Sequence, residues 1–332
     1  MEYPNRKRKA NLIRSLIVAS ATTTMIATGG FGTLPENNLT ADFQQVVMDI
    51  VPHDLTQYLE PYLYVTPTPG AQEPTSSESD FPLSLPIGPS GRDTIDPNER
   101  FGQPQKQQLA QNGVDFVNSA GTLVLAAAPG RVLHAGADAK GQFSPSAELY
   151  GLVVVMEHSL PGYAQSVYTL YAHLSQVDVE PGQQLDVGET LGLVGSTGHT
   201  TGSELHFEVR YGENTHDNAR NPELWLIQFD DDGETANGAL AGRILDENGD
   251  LVDVNVVVQP LGEANANPMD LHPYVDKRLR LQPPWGEAFA VGNLPPGEYK
   301  ISFALPGLGY QSDVIEVVSG RVTEWEWVKP AK

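Results

Sequence analysis

In the stretch STGHTTGSELHFEVR, residues 196–210, a carboxylate and an imidazole are spaced two apart, at Glu204 and His206. In an extended strand such residues share a face, so the two groups stand side by side while Leu205 faces the opposite way. The pair has the chemistry of a metal site, of a proton-transferring pair, or of what is left when one of these is lost. The other histidines have plainer readings. His199 lies in a glycine-threonine turn, where a solvated side chain suffices. His134 and His158 fall within or at the end of strand-like runs and suit buried or capping roles, and His53, His216 and His272 lack a partner motif. The chain has no cysteine, which excludes disulfides and thiolate zinc sites.

The elements that must position these groups read as β-structure. From about residue 100 to 229, short apolar runs alternate with Gly, Pro and Asn: GTLVLAAAPGRVLHAG (121–136), LYGLVVVMEH (149–158), SVYTLYAHL (166–174) and ETLGLVGS (189–196). Gly195, Gly198 and Gly202 supply turn geometry to the loop before Glu204. DDDGETANG (230–238) is a polar break. Beyond it, 238–330 reads as a second β segment with turns at Glu247-Asn248-Gly249 and Pro295-Pro296-Gly297, consistent with a small sandwich. The expected fold is therefore mostly β, one antiparallel domain followed by a sandwich. Upstream, Phe43, Val46, Val47, Ile50 and Val51 have helical spacing within 40–60, and TPTPGAQEPTSSESD (66–80) has linker composition, so 29–99 reads as a short helix and a Pro/Ser/acidic linker, with order returning near Phe81 or Arg100.

Charge narrows the partners. The net charge is −22, yet residues 1–14 hold five basic side chains against Glu2 alone, leaving 15 basic and 41 acidic residues, or −26, in the remainder. So acidic a body repels nucleic acid, and no nucleic-acid partner is expected. The basic start followed by SLIVASATTTMIAT (15–28) has the order of a secretory signal peptide or an N-terminal membrane anchor over 1–28. It is short for a transmembrane span. Export to the cell envelope or the extracellular space is the expectation.

Three stretches in order, NGVDFVNSAGTLVLAAAPGRVLHAG, YTLYAHLS and VGSTGHTTGSELHFEVR followed by NPELWL, make residues 100–229 resemble the M23 (lysostaphin/LytM-type) peptidase family. The resemblance implies an antiparallel domain with a duplicated hybrid motif. It also implies a zinc endopeptidase of bacterial cell-wall cross-bridges, or a catalytically dead relative that regulates wall enzymes. The family's ligands are the His and Asp of H-x-G-x-D and the second His of H-x-H. Here those positions carry Gln111, Asp115 and His206. The catalytic histidine of Tyr-x-His-Leu falls on His173, and the first of H-x-H is replaced by Glu204. His173 can equally be a structural residue, and Asp115 a turn residue that receives backbone donors.

A catalytic zinc site uses three protein ligands and an open position for water, whose pKa the ion lowers. Gln111 offers only an amide oxygen in place of an imidazole. Glu204 can act as a general base or can itself coordinate. The expectation is weak or absent zinc and a degenerate site, in a module that binds peptidoglycan or regulates a cell-wall hydrolase. The alternatives are an active peptidase with an altered Asp115–His206–Glu204 set and a purely structural envelope protein. VEPGQQLDVGETLGLVGSTG (179–198) also resembles biotinyl and lipoyl carrier motifs, but no lysine occurs between Lys140 and Lys277 to carry the group. The 238–330 segment resembles transthyretin-like or carboxypeptidase-regulatory-like sandwiches. There Trp325 and Trp327 share a strand face, as core residues or as a sugar platform, and DENGD (246–250) reads as a hairpin turn rather than a calcium loop.

Overall fold

The computed structural model describes residues 80–330, apart from 104–109, 139–140, 145, 147, 229–235, 263–266, 275–278, 280 and 282–284. The expected leader, the 40–60 helix and nearly all of the 66–80 linker lie outside the described residues.

A nine-stranded sheet is built from β1 (Val114–Val117), β2 (Leu123–Leu125), β3 (Gly130–Ala137), β4 (Leu152–His158), β5 (Val167–Val177), β6 (Gln184–Leu185), β7 (Thr190–Val194), β8 (Glu204–Tyr211) and β9 (Ala219–Arg220). Its main path runs β1-β8-β5-β4-β3-β6, with β7 joining β2 to β5 and β9 flanking β8. All these pairings are antiparallel. The fold is the mostly β, antiparallel one expected from the alternating runs.

The alternation of β8 divides two environments. Leu205, Phe207 and Val209 enter the main core with Val114, Phe116, Val154, Met156 and Tyr171. The opposite face carries Glu204, His206, Glu208 and Arg210, all buried. Under that face lies a smaller apolar cluster of Phe143, Tyr150, Val153, Val155, Leu170 and Ala172. Burying four ionisable side chains in a row is costly unless each is paired, which foreshadows the network described below.

Residues 80–101 belong to this body. Composition extended the linker to residue 99 or ended it near Phe81, and Phe81, Leu83, Ile87, Ile95 and Phe101 are all in the main core. The apolar residues at 81, 83, 85 and 87 alternate as a strand edge does, and Leu83 makes a bridge to Leu226 and Ile87 one to Val124.

The remaining strands form two facing sheets. One contains β10 (Gly238–Leu245), β13 (Phe289–Leu294) and β16 (Val322–Val328); the other contains β11 (Val256–Pro260), β12 (Met269–Leu271), β14 (Gly297–Leu305) and β15 (Gly309–Val317). β10 and β16 pair in parallel, the one exception to the antiparallel pattern among the described strands. Leu240, Ile244, Val258, Phe289, Ile301, Phe303 and Trp325 fill the space between the sheets. The sugar-platform reading of the tryptophans is thereby corrected. Trp325 is in the core, its Nε1–H donating to Asp313 at 3.1 Å, and Trp327 packs edge-on against Phe303 at 5.1 Å between centroids. The DENGD carboxylate of Asp246 accepts from the backbone N–H groups of Asn248 and Asp250, as a turn requires.

The sandwich is joined to the first sheet by more than the chain. Ala239, Ala241, Tyr274 and Ala290 enter the main core, and the buried Glu223 accepts from the Gly292 N–H at 2.8 Å while pairing with Arg100.

Candidate active site

The centre of the site is set by register. On β8, His206 faces Asp115 of β1 on one side and Ala172 of β5 on the other. Cross-strand neighbours of this kind lie about 5 Å apart and share a face. His206 Nδ1–H accordingly donates to Asp115 Oδ1 at 2.6 Å. Its Nε2–H donates to Glu208 Oε1 at 3.1 Å, one step further along the same face. Asp115 is thus on a strand, engaged by a side chain, and not the turn residue of the plainer reading.

Glu208 is itself held on three sides. It accepts from His206, from Arg210 Nε–H at 2.8 Å and from the Tyr150 hydroxyl. Arg210 also donates to the Phe143 carbonyl at 2.7 Å and to Asn214 Oδ1 at 3.1 Å. Burial alone would raise the Glu208 pKa, but the Arg210 guanidinium and His206 drive it well below the carboxylate range. Burial alone would lower that of His206, but the Asp115 and Glu208 carboxylates raise it to about 10. The imidazole is therefore a cation near neutrality, clamped between two anions, with the Tyr150 ring stacked on it at 5.5 Å.

His173 reaches the site by a backbone irregularity. It has φ +62°, in the left-handed region that costs a non-glycine residue about 1–2 kcal/mol. Regular alternation would send it to the face of Tyr171, in the main core. The bend instead sets its ring 5.8 Å from that of His206. Nδ1–H donates to the Thr197 carbonyl at 2.8 Å, leaving Nε2 with its lone pair. Burial, then the nearby positive His206, lowers its pKa to about 4, so it is neutral at ordinary pH.

Glu204 is buried at the start of β8, and its Oε1 is bound by the Thr200 hydroxyl. Burial raises its pKa, helped by Asp115 and Glu99 and opposed by Thr200 and His206. The Gln111 amide nitrogen lies 3.4 Å from His206 Nδ1, on the Asp115 side. The structure thus brings Gln111, Asp115 and His206 into direct contact, with His173 across the ring gap. Glu204 is one step back, turned to Thr200. Among the described residues, no three His, Cys, Asp or Glu side chains are gathered to hold an ion.

Of the other described histidines, His216 lies close enough to Glu208 for its charge to act on that carboxylate. His158 is buried, with its ring nitrogens on Pro129 O at 2.9 Å and Thr169 Oγ1 at 2.7 Å. His134 packs on Phe143 at 4.9 Å and His199 is exposed in its turn. Reasoning from sequence did not pick out Tyr150, Glu208, Arg210 or Thr200. For Glu208 and Arg210 the signal was available, because they continue the two-residue period that paired Glu204 with His206.

Residues 110–221 match the model of peptidase family M23. An M23-type domain of the LytM/lysostaphin kind is supported over that third of the chain. Among curated proteins, the chain is similar to the cell division protein DipM of Caulobacter vibrioides, at 35% identity over 33% of this chain and 16% of that protein. It is also similar to the murein hydrolase activator NlpD of Salmonella dublin, at 30% identity over 44% of this chain and 34% of that one. A third relative is the DD-carboxypeptidase/endopeptidase Mpg of Neisseria meningitidis, at 40% identity over 30% of this chain and 19% of that protein. These matches span about a third or less of each relative's length. The catalytic domain of lysostaphin from Staphylococcus simulans aligns at 26% identity over 37% of this chain and 85% of that one, with a TM-score of 0.32. A zinc-containing peptidase from Vibrio cholerae aligns at 27% identity over 41% and 37%, with a TM-score of 0.30.

Proposed function

We propose that this chain is an exported envelope protein whose M23-type domain has lost its zinc chemistry. It serves to bind peptidoglycan or to regulate a cell-wall hydrolase. The observation that carries the reading is the donor set at His206. A catalytic zinc needs three protein ligands, and beside Asp115 and His206 the third position that the M23 resemblance implies carries the amide of Gln111. That set falls one imidazole short, and a proton shared with Asp115 occupies the His206 nitrogen that would face an ion. A cation must displace that proton before it can bind.

The rival reading, a working peptidase that recruits Glu204, requires that carboxylate to leave Thr200 and turn towards His206. The names of the NlpD relatives, murein hydrolase activators, support the regulatory reading over a purely structural one. Residues 1–28 are proposed to direct export, and the sandwich from 238 to 330 to act as an appended module of transthyretin-like type.

The test combines sedimentation with purified sacculi and pull-down of envelope hydrolases by the full-length protein. Retention on sacculi, or capture and stimulation of a hydrolase, is expected. A protein that does neither, and is found in the cytosol with Met1 intact, contradicts the proposal.

A further inference from the structure

The sandwich leaves a long strand edge open. β15 ends the sheet β12-β11-β14-β15, and it pairs with β14 in unbroken register from Gly309 opposite Leu305 to Val317 opposite Gly297. Half of an edge strand's N–H and C=O groups point away from its single neighbour. Outside that ladder, the described residues give the β15 backbone two bonds. Asp313 Oδ1 accepts from the Val314 N–H at 2.8 Å, and the Thr323 hydroxyl donates to the Glu316 carbonyl at 3.1 Å. The other outward groups of the strand have no partner among the described residues.

Such an edge is a template for another chain, and folds ordinarily guard it with lysine, proline, a bulge or brevity. β12, at the other end of the sheet, is three residues long. β15 lacks these guards. GYQSDVIEVV, residues 309–318, holds no Lys, Arg or Pro, and no bulge interrupts the pairing. Its inward carboxylate, Asp313, is taken up by the Trp325 Nε1–H at 3.1 Å.

The side chains say what the edge pairs with. Gln311, Asp313 and Ile315 stand opposite Phe303, Ile301 and Tyr299, on the side of the sandwich core. Tyr310, Ser312, Val314 and Glu316 are therefore on the outer face, and Val318 continues that series. Tyr310, Val314 and Val318 are 63%, 52% and 48% exposed. The outer face thus shows large apolar groups at intervals of four residues, separated by Ser312 and Glu316.

A two-fold antiparallel pairing of β15 with a second β15 has several conceivable centres, and the sequence discriminates among them. Centring on Asp313 or Glu316 sets a carboxylate directly against its own copy, which is destabilising. Centring on Ser312 leaves Val318 beyond the pairing, and centring on Ile315 sets Val314 against Glu316. Centring on Val314 sets Val314 on Val314, Tyr310 on Val318, Ser312 on Glu316 and Asp313 on Ile315. That register alone matches the three exposed apolar residues with one another, and it puts no like charges opposite.

We infer that the sandwich is a self-association module, in which two copies of this chain join β15 to β15, antiparallel about Val314. The contact is isologous, and it merges the four-stranded sheets of the two copies into one. One apolar row buries less than the roughly 1,200–2,000 Å² of a tight complex. Each copy also carries a net charge of −22, so the association is weak and salt strengthens it by screening. It does not depend on the function proposed for the M23-type domain.

The test uses the absence of cysteine from the native chain. Opposed Cα atoms in an antiparallel pair lie about 4.5–5.5 Å apart, within the span of a disulfide. Full-length Val314→Cys should therefore form a covalent dimer with oxidised glutathione at least about tenfold faster than Val187→Cys, whose parent side chain, in the turn between β6 and β7, is also 48% exposed. In sedimentation velocity, the native full-length protein should self-associate over about 10–500 μM, and more strongly at about 0.5 M salt than at about 0.15 M. Val314→Lys and Val314→Glu each place like charges on the two-fold axis and should each weaken association at least about tenfold. An equimolar mixture of the two should recover it as a mixed dimer, which a misfolded variant cannot do. A native protein that stays monomeric leaves the edge to a different chain and overturns the inference. So does a Val314→Cys protein that cross-links no faster than Val187→Cys, association untouched by Val314→Lys, or a mixture no better paired than its components.

Discussion

Glu208 offers the sharpest single perturbation of this fold. It is fully buried and accepts from His206, Arg210 and Tyr150 together. Glu208→Gln keeps the volume but removes the anion, leaving Arg210 as a buried cation whose acceptors, the new amide oxygen, the Phe143 carbonyl and Asn214, are all neutral. Breaking one partner of a buried pair costs about 3–5 kcal/mol. At about 2–4 °C per kcal/mol for a body of this size, the melting temperature should fall by roughly 6–20 °C. The same change removes one of the two carboxylates that keep His206 protonated, so its pKa should drop. The double change Glu208→Leu with Arg210→Met removes both charges and should recover most of the lost stability, since apolar replacement of a buried pair is often neutral or better. Urea unfolding followed by tryptophan fluorescence, with NMR of the His206 ring, reads both effects. A Glu208→Gln protein within about 1 kcal/mol of the native one, or a double variant no better than the single, refutes the claim that these groups form one interdependent network.

Three other outcomes are expected. Gln111→His should raise zinc affinity by at least about 10–100-fold, the cost of losing even an outer partner of a metal site, and should improve binding more than turnover; isothermal titration at fixed pH measures it, and turnover should rise most when Glu204→His is added. Burial lowers the His158 pKa below the ordinary 6.5, opposed by its bond to Pro129, so the stability it contributes is present above that value and is lost as pH falls through it. Native protein should therefore lose more stability than His158→Gln when urea midpoints are compared at about pH 8 and about pH 5. Gly113→Ala would drive a Cβ into the Phe207 carbonyl, prising β1 from β8 at the Asp115–His206 step; thermal melts should show about 1–3 kcal/mol of destabilisation and the His206 proton should lose its partner.

What the sequence made legible follows its periodicities. The two-residue alternation of ELHFEVR was enough to place Glu204 and His206 on one face and Leu205 in the core, because β8 is a central strand with both faces buried. The same alternation held the buried pair Glu208 and Arg210, passed over because charged residues at the end of a run read as solvated. His173 was harder. Its side chain reaches His206 only through a left-handed backbone at a non-glycine residue, which no periodicity announces. Tyr150 comes from a loop 56 positions before His206, and only tertiary packing stacks the two. The stretch from 80 to 99 carried two opposed signals, a linker composition and a return of order near Phe81. Its prolines, serines and glycines have the composition of a linker, but its apolar residues at 81, 83, 85 and 87 pack against the sheet, and Gly88 and Gly91 are there for close approach.

The central claim, that this M23-type domain does not cut cell-wall peptide, is tested most directly by incubating the native full-length protein with purified, dye-labelled sacculi and stoichiometric zinc, with and without chelator. The account predicts no release of dye above the protein-free control in either case. Zinc-dependent release that the chelator abolishes would contradict it and would assign the chemistry to Asp115, His206 and a rearranged Glu204.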